Sequence, residues 1–118
     1  GFIVNIGVNF KIVTRPNYSG NVVLTKCIQV LQSYFDIDKW QINQPIFLTD
    51  IYTLLDKIEG VQTVKSVDVY NKSGGNYSEF FYDVRGATIN QTVFPSQDPS
   101  IFEVKFPDKD IKGSITNF

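Results

Sequence analysis

The sequence predicts an α+β domain: a single mixed or antiparallel sheet with two helices packed on one face. Three observations lead there. Residues 2–12 alternate apolar and polar with the period of a half-buried strand, residues 24–35 and 51–58 repeat their apolar residues at helical spacing, and strand-like alternation returns in the second half. With 118 residues and 42% hydrophobic composition the chain can bury one real core but not two, so residues 1–118 are expected to form a single domain.

Phe2, Val4, Ile6, Val8, Phe10 and Ile12 fall on one side of the first strand, with Asn5, Gly7, Asn9 and Lys11 on the other. "RPNYSGN" at 15–21 reads as a loop entering a helix, with Ser19 or Asn21 as N-cap. Leu24, Cys27, Ile28, Leu31, Tyr34 and Phe35 then make one apolar stripe. In "DIDKWQINQPI" the chain leaves the helix and extends, with Trp40 and Ile42 on the same side and Pro45 barring more helix. Thr49 is expected to cap the second helix, Asp50 to sit near its positive end, and Ile51, Leu54, Leu55 and Ile58 to supply its buried face. Gly60 is expected to end it, with Val61 folding back over the last turn.

The segment 61–70 is rich in β-branched residues, with Val64 out of phase in a way that hints at a bulge. "NKSGGN" at 71–76 is a turn, and "YSEFFYDV" at 77–84 reads as a strand with Phe80, Tyr82 and Val84 on one face and Phe81 on the other. The irregular "QTVFPSQDPS" follows, its two prolines unsuited to a sheet interior. Phe102, Val104 and Phe106, a turn at 107–110, and Ile111, Gly113 and Ile115 complete an expected hairpin.

Composition narrows the function. The formal net charge is −1 and the basic residues are scattered, which argues against nucleic acid as a partner. No apolar run reaches the roughly 20 residues that span a bilayer, so no membrane association is expected. The chain has no histidine and one cysteine, which removes the usual zinc and histidine-based catalytic constellations and any internal disulfide. No catalytic, cofactor-binding or metal-binding residues are assigned. The absence of methionine, with Gly1 in first place, suggests a domain cut from a longer parent or a tag remnant.

Several features invite a chemical reading and a plainer one. Cys27 could be a reactive thiol, but it lacks a histidine base and sits in an apolar stripe, where thiols are inert. Asp36 and Asp38 fail the calcium-loop pattern, since Trp40 occupies the fifth position. "NKSGGN" matches neither phosphate-binding glycine pattern. Asp56 and Glu59, or Asp108 and Asp110, could be acid/base couples, but exposed carboxylates on helices and turns are common. Asn-X-Ser/Thr triplets at Asn17, Asn71, Asn76 and Asn90 are expected by chance in a chain this rich in Asn, Ser and Thr. Phe80, Phe81 and Tyr82 remain as candidate contact residues, because aromatics concentrate at protein interfaces, although a core strand explains them as well.

The run "YFDIDKWQINQPIFLTDIYTLLDKIEGVQTVKSV", followed by "FPSQDPSIFEVKFPDKDIKGSI", resembles the C-terminal region of contractile-tail phage baseplate wedge proteins of the baseplate J-like class. The large inner wedge protein of T-even phages is similar to that class. The resemblance extends from about Tyr18 to Ile115 and is most telling at residues 40–46, at Gly60-Val61, and at residues 95–113.

The resemblance implies the C-terminal domain of a longer, non-enzymatic virion component, assembled in the host bacterial cytoplasm, that joins wedge to wedge around the tail hub. Its partners would be other baseplate wedge proteins and further copies of itself, and it would need no cofactor. Gly60, Val61, Thr49 and Trp40 would then serve structurally, fixing where the adjacent surface points. The alternative is a carbohydrate- or host-binding tail module using exposed aromatics such as Trp40 or Tyr77. A small hydrolase built on Asp56 and Glu59 is a third class, which a deep pocket around them would favour.

Overall fold

The computed structural model describes residues 2–117 and has the α+β class expected. Its centre is β1 (Phe2–Thr14), whose Val4, Ile6, Val8, Phe10 and Ile12 are all buried. At about 1.5–3 kcal/mol for each large apolar side chain removed from water, this single row is a major part of the driving force.

β3 (Val61–Asn71) runs antiparallel along one edge of β1, from Ile6↔Asn71 to Thr14↔Val61. The register slips twice, leaving Lys65 and Gln62 as extra residues on β3, so the bulge hinted at by Val64 is present. β7 (Ile111–Ile115) pairs with Val8–Ile12, residues that β3 also pairs, and so occupies the opposite edge. β6 (Ser100–Glu103) pairs with Phe2–Asn5, and both β6 and β7 are parallel to β1. The expected hairpin over 102–115 is therefore corrected. The turn between its halves is a short helical segment, α3 (Pro107–Asp110), in which the amides of Lys109 and Asp110 both return to the Phe106 carbonyl. The chain leaves this turn still travelling in its original direction.

Helix α1 (Gly20–Tyr34) packs toward β7 and helix α2 (Leu48–Asp56) toward β3, and their buried residues join one core with the apolar face of β1. Val23, Cys27 and Leu31 are the deepest of α1, Val23 being absent from the predicted stripe. Ser19 occupies the α1 N-cap position but makes no side-chain cap bond. Thr49 lies inside α2, where Phe47 holds the cap position, so neither predicted cap bond forms.

The helical backbone of α2 closes at Asp56, four residues before the expected stop, and a turn carries the chain to Gly60 at φ 95°. Gly60 still matters: its carbonyl accepts from the Arg15 amide, tying this turn to the end of β1. A Cβ there would stand 2.6 Å from Val23 Cγ2 and 2.9 Å from Tyr18 Cδ1. Val61, immediately after, is buried.

A second, three-stranded sheet replaces the single sheet predicted. Its order is β2 (Ile46–Phe47), β5 (Thr92–Val93), β4 (Thr88–Ile89), all antiparallel. The β4–β5 loop is Asn90-Gln91 with both residues at positive φ, the signature of a type I′ hairpin turn. The other correction is at 77–84, which forms no strand. It is an irregular strap that meets the start of β1 at Asn5 and Phe2.

Gly60→Val should lower unfolding stability by about 2–4 kcal/mol, combining a β-branched residue at positive φ with overpacking. Gly74, at φ 78° and with nothing within 4 Å of where a Cβ would stand, is the control. Gly74→Ala should cost about 1 kcal/mol. Denaturant midpoints of the two variants check the order.

Candidate protein-contact surface

Strap residues 77–84 are held by side chains where a strand would use a backbone ladder. Asn5 is 1% exposed; its Oδ1 accepts from the Ser78 amide at 2.7 Å, and its Nδ2 donates to Glu103 Oε1 at 2.7 Å. Asn71 Nδ2 donates to the Asn5 carbonyl, while its Oδ1 accepts from the Tyr82 amide at 3.3 Å. Asp110, also 1% exposed, closes the start of the strap by accepting from Lys72 Nζ at 3.1 Å and from the Tyr77 hydroxyl at 2.7 Å. That carboxylate hydrogen bond is the main cause of a raised Lys72 pKa, with burial opposing it. The sequence suggests an exposed turn residue at Asp110; no local signal marks its partner, 38 positions away.

The three predicted contact residues separate. Phe80 stacks on Phe2 with ring centroids 4.4 Å apart. Tyr82 is half-buried near Phe102, and its hydroxyl donates to the Phe94 carbonyl at 2.7 Å. Phe81 alone is thrown outward, 69% exposed. The predicted alternation of faces thus survives without a strand, and only Phe81 has the exposure of a contact residue.

The larger apolar surface lies on the small sheet. Ile46 and Val93 point into the core. Their neighbours Phe47 and Thr92 face the other way, and Ile89 and Phe47 both register with Thr92, forming one cross-strand row. Phe94 follows two residues beyond Thr92 on the same side, its amide donating to the Ala87 carbonyl. Phe47, Ile89 and Phe94 are 44%, 59% and 48% exposed. The clue in the sequence is the Thr92-Val93-Phe94 alternation, hidden by the prolines that follow.

The remaining candidates are placed as follows. Trp40 is buried, stacked on Phe35 at 5.6 Å with its Nε1 donating to the Tyr34 carbonyl, so it offers no open ring to a sugar. Ile42 is exposed and does not share its side. Tyr77 is half-buried, edge-on to Phe106. Asp36 accepts from the Asp38 amide, opening the 3₁₀ turn Ile37–Lys39. Asp56 lines a shallow cleft of about 290 Å³ with Tyr52 and Gln62, whereas Glu59 accepts from the Tyr18 hydroxyl, so the two share no cavity. Asp108 accepts from Gln32.

Among the described residues, no group of three or more His, Cys, Asp or Glu side chains is placed to hold a metal ion, and no helix is long and apolar enough to cross a membrane. Cys27 is fully buried, and desolvation pushes its thiol up to about 11. Burial likewise raises the Tyr34 hydroxyl to about 12, helped by the adjacent Asp50. Compared with known proteins, the chain matches no family model, and no curated protein matches it.

Replacing Asn5 with Ala should cost about 2–3 kcal/mol by leaving the Ser78 amide and the Glu103 carboxylate without their partner. Amide exchange at Ser78 and Tyr82 should accelerate more than exchange in α1, which would mark release of the strap. The alkaline limb of stability should also report Cys27. Its folded pKa is raised, so its contribution is complete below about pH 9, the value for an unburied thiol, and is lost as pH rises to about 11. Tyr34 extends the decline toward pH 12. In Cys27→Val, denaturant titrations should show the decline starting about one pH unit later.

Proposed function

We infer that the domain is a structural, non-catalytic module of a contractile-tail phage baseplate wedge, joining protein to protein through the outward face of its small sheet. The observation that carries this reading is the solvent-facing row Phe47, Thr92, Ile89 with Phe94 beside it. Large apolar side chains grouped on one regular face mark contact surfaces more often than monomer exteriors. The resemblance of residues 34–67 and 94–115 to baseplate J-like C-terminal regions supplies the assembly, and Phe47 and Phe94 lie within those stretches. In this reading the domain resides in the virion, and its partners are other wedge proteins and further copies of itself.

The architecture suits such a role. The outward residues of the small sheet contribute little to the core, while Ile46 and Val93 beneath them are fully buried. The amide of Leu48, at the start of α2, donates to the carbonyl of Gln91 at the hairpin tip, so the contact face is tied to a helix. A ring of many copies amplifies small orientation errors, and this anchoring restrains the face.

Light scattering behind a sizing column, across a concentration series, should show a specific oligomer. Ile89→Asp or Phe94→Asp should weaken it at least about tenfold, equivalent to about 1.4 kcal/mol, without moving the unfolding midpoint. An oligomer indifferent to both substitutions overturns the assignment to this face. A strict monomer that also fails to assemble with the other wedge proteins of its virion overturns the reading as a whole.

A further inference from the structure

The four-stranded sheet has a second face, opposite the helices, that the small-sheet contact leaves unused. Register places two cross-strand rows on it: Asp68, Asn9 and Lys112, then Ser66, Lys11 and Ser114. Together they line a groove of about 390 Å³. Asn9, Lys11, Lys112 and Ser114 are exposed, with no described segment of the chain laid over them.

The charges in this groove are unbalanced. Asp68 is the one carboxylate lining it, and it is occupied by Arg85, whose Nε and second terminal nitrogen donate to the two carboxylate oxygens at 3.0 and 2.7 Å. The Arg85 guanidinium also lies 5.2 Å from the Tyr70 ring centroid, which keeps it over the sheet. Among the described residues, Lys11 and Lys112 have no carboxylate within salt-bridge distance. Two uncompensated ammonium groups are thus set among the neutral hydrogen-bonding side chains of Asn9, Ser66 and Ser114.

We propose that this open sheet face, centred on Lys11 and Lys112, docks an extended acidic segment of a partner protein. Lys112 registers with Asn9, two residues from Lys11 on the neighbouring strand, so the two lysines are diagonal neighbours with Cα atoms about 7–8 Å apart. In an extended chain, side chains on one side repeat about every 6.6–6.8 Å. Carboxylates at alternate positions of such a segment therefore meet both ammonium groups, and the hydroxyls and amide between them receive its remaining polar groups.

The test is an amide chemical-shift titration of the whole chain with the blocked peptide acetyl-Gly-Glu-Thr-Glu-Gly-amide, its Gln-Thr-Gln counterpart, and inorganic phosphate. The acidic peptide should shift amides at Asn9, Lys11, Ser66 and Lys112 saturably. It should bind at least about fivefold tighter than the amide counterpart and weaken as salt rises from about 20 to about 200 mM. Lys11→Gln and Lys112→Gln should each weaken binding about three- to fivefold. Arg85→Gln, which uncovers the Asp68 carboxylate, should weaken it too, while Lys26→Gln on α1 should have no effect. Equal binding of the two peptides, shifts centred elsewhere, or an equal effect of Lys26→Gln overturns the proposal. Phosphate producing the same shifts at the same concentrations also overturns it, because the face would then take a small anion and not a protein segment.

Discussion

Double-edged pairing of β1 is the constraint on which the rest depends. Between Val8 and Ile12 every residue is matched by β3 on one side and β7 on the other, so the backbone there is saturated and cannot slide. A slip of one residue would replace Val4, Ile6, Val8, Phe10 and Ile12 in the core with Asn5, Gly7, Asn9 and Lys11. The helices lie over whichever face the strand makes apolar. Gly113 belongs to the same constraint: it registers with Phe10, whose ring lies where a side chain at 113 would have to go.

Toward its N-terminus β1 outlasts its antiparallel partner, because β3 ends at Asn71 opposite Ile6. The Lys72 amide still reaches the Asn5 carbonyl, but Phe2–Val4 have no β3 partner, and an open apolar edge invites pairing with other chains. Here the neighbouring strap is attached through asparagine, whose amide supplies a donor and an acceptor like those of a peptide unit. Asn5 and Asn71 together bind the amides of Ser78 and Tyr82 as well as the Asn5 carbonyl. The strap can thus follow the sheet without joining its ladder. The exposed edge of β3 is managed differently, by two bulges, one of which carries Lys65.

Elements whose signal was periodic were legible in the sequence: β1, the stripes of both helices, β3 with its bulge, and the buried thiol of Cys27. What was hidden depended on contacts distant along the chain. Nothing local distinguishes residues 77–84 from a strand, since the alternation is real and only the partner is different. The parallel course of β6 and β7 was masked because a short helical turn and a hairpin turn share Pro and Asp. The small sheet was missed since two-residue strands carry almost no periodicity, and its turn is Asn90-Gln91 where the usual hairpin signal would have glycine second. The alternation foretold that Phe81 would face away from Phe80 and Tyr82, while Phe47, Ile89 and Phe94 become visible as one exposed face only through their register.

The two sheets also divide the exterior in a physically meaningful way. A wide sheet left open on one side must present a polar face or risk association through it, and the large sheet does so with Asn9, Ser66, Ser114 and two lysines. The small sheet does the reverse, burying Ile46 and Val93 while leaving Phe47, Ile89 and Phe94 to water. Strands of two residues gain little from their own ladder and are held by what lies beneath them. Their outward side chains are accordingly under weak structural demand, and polar residues would serve the isolated fold equally well. The aromatic and aliphatic residues that stand there are what the proposed contact would account for, since the fold itself places no demand on them.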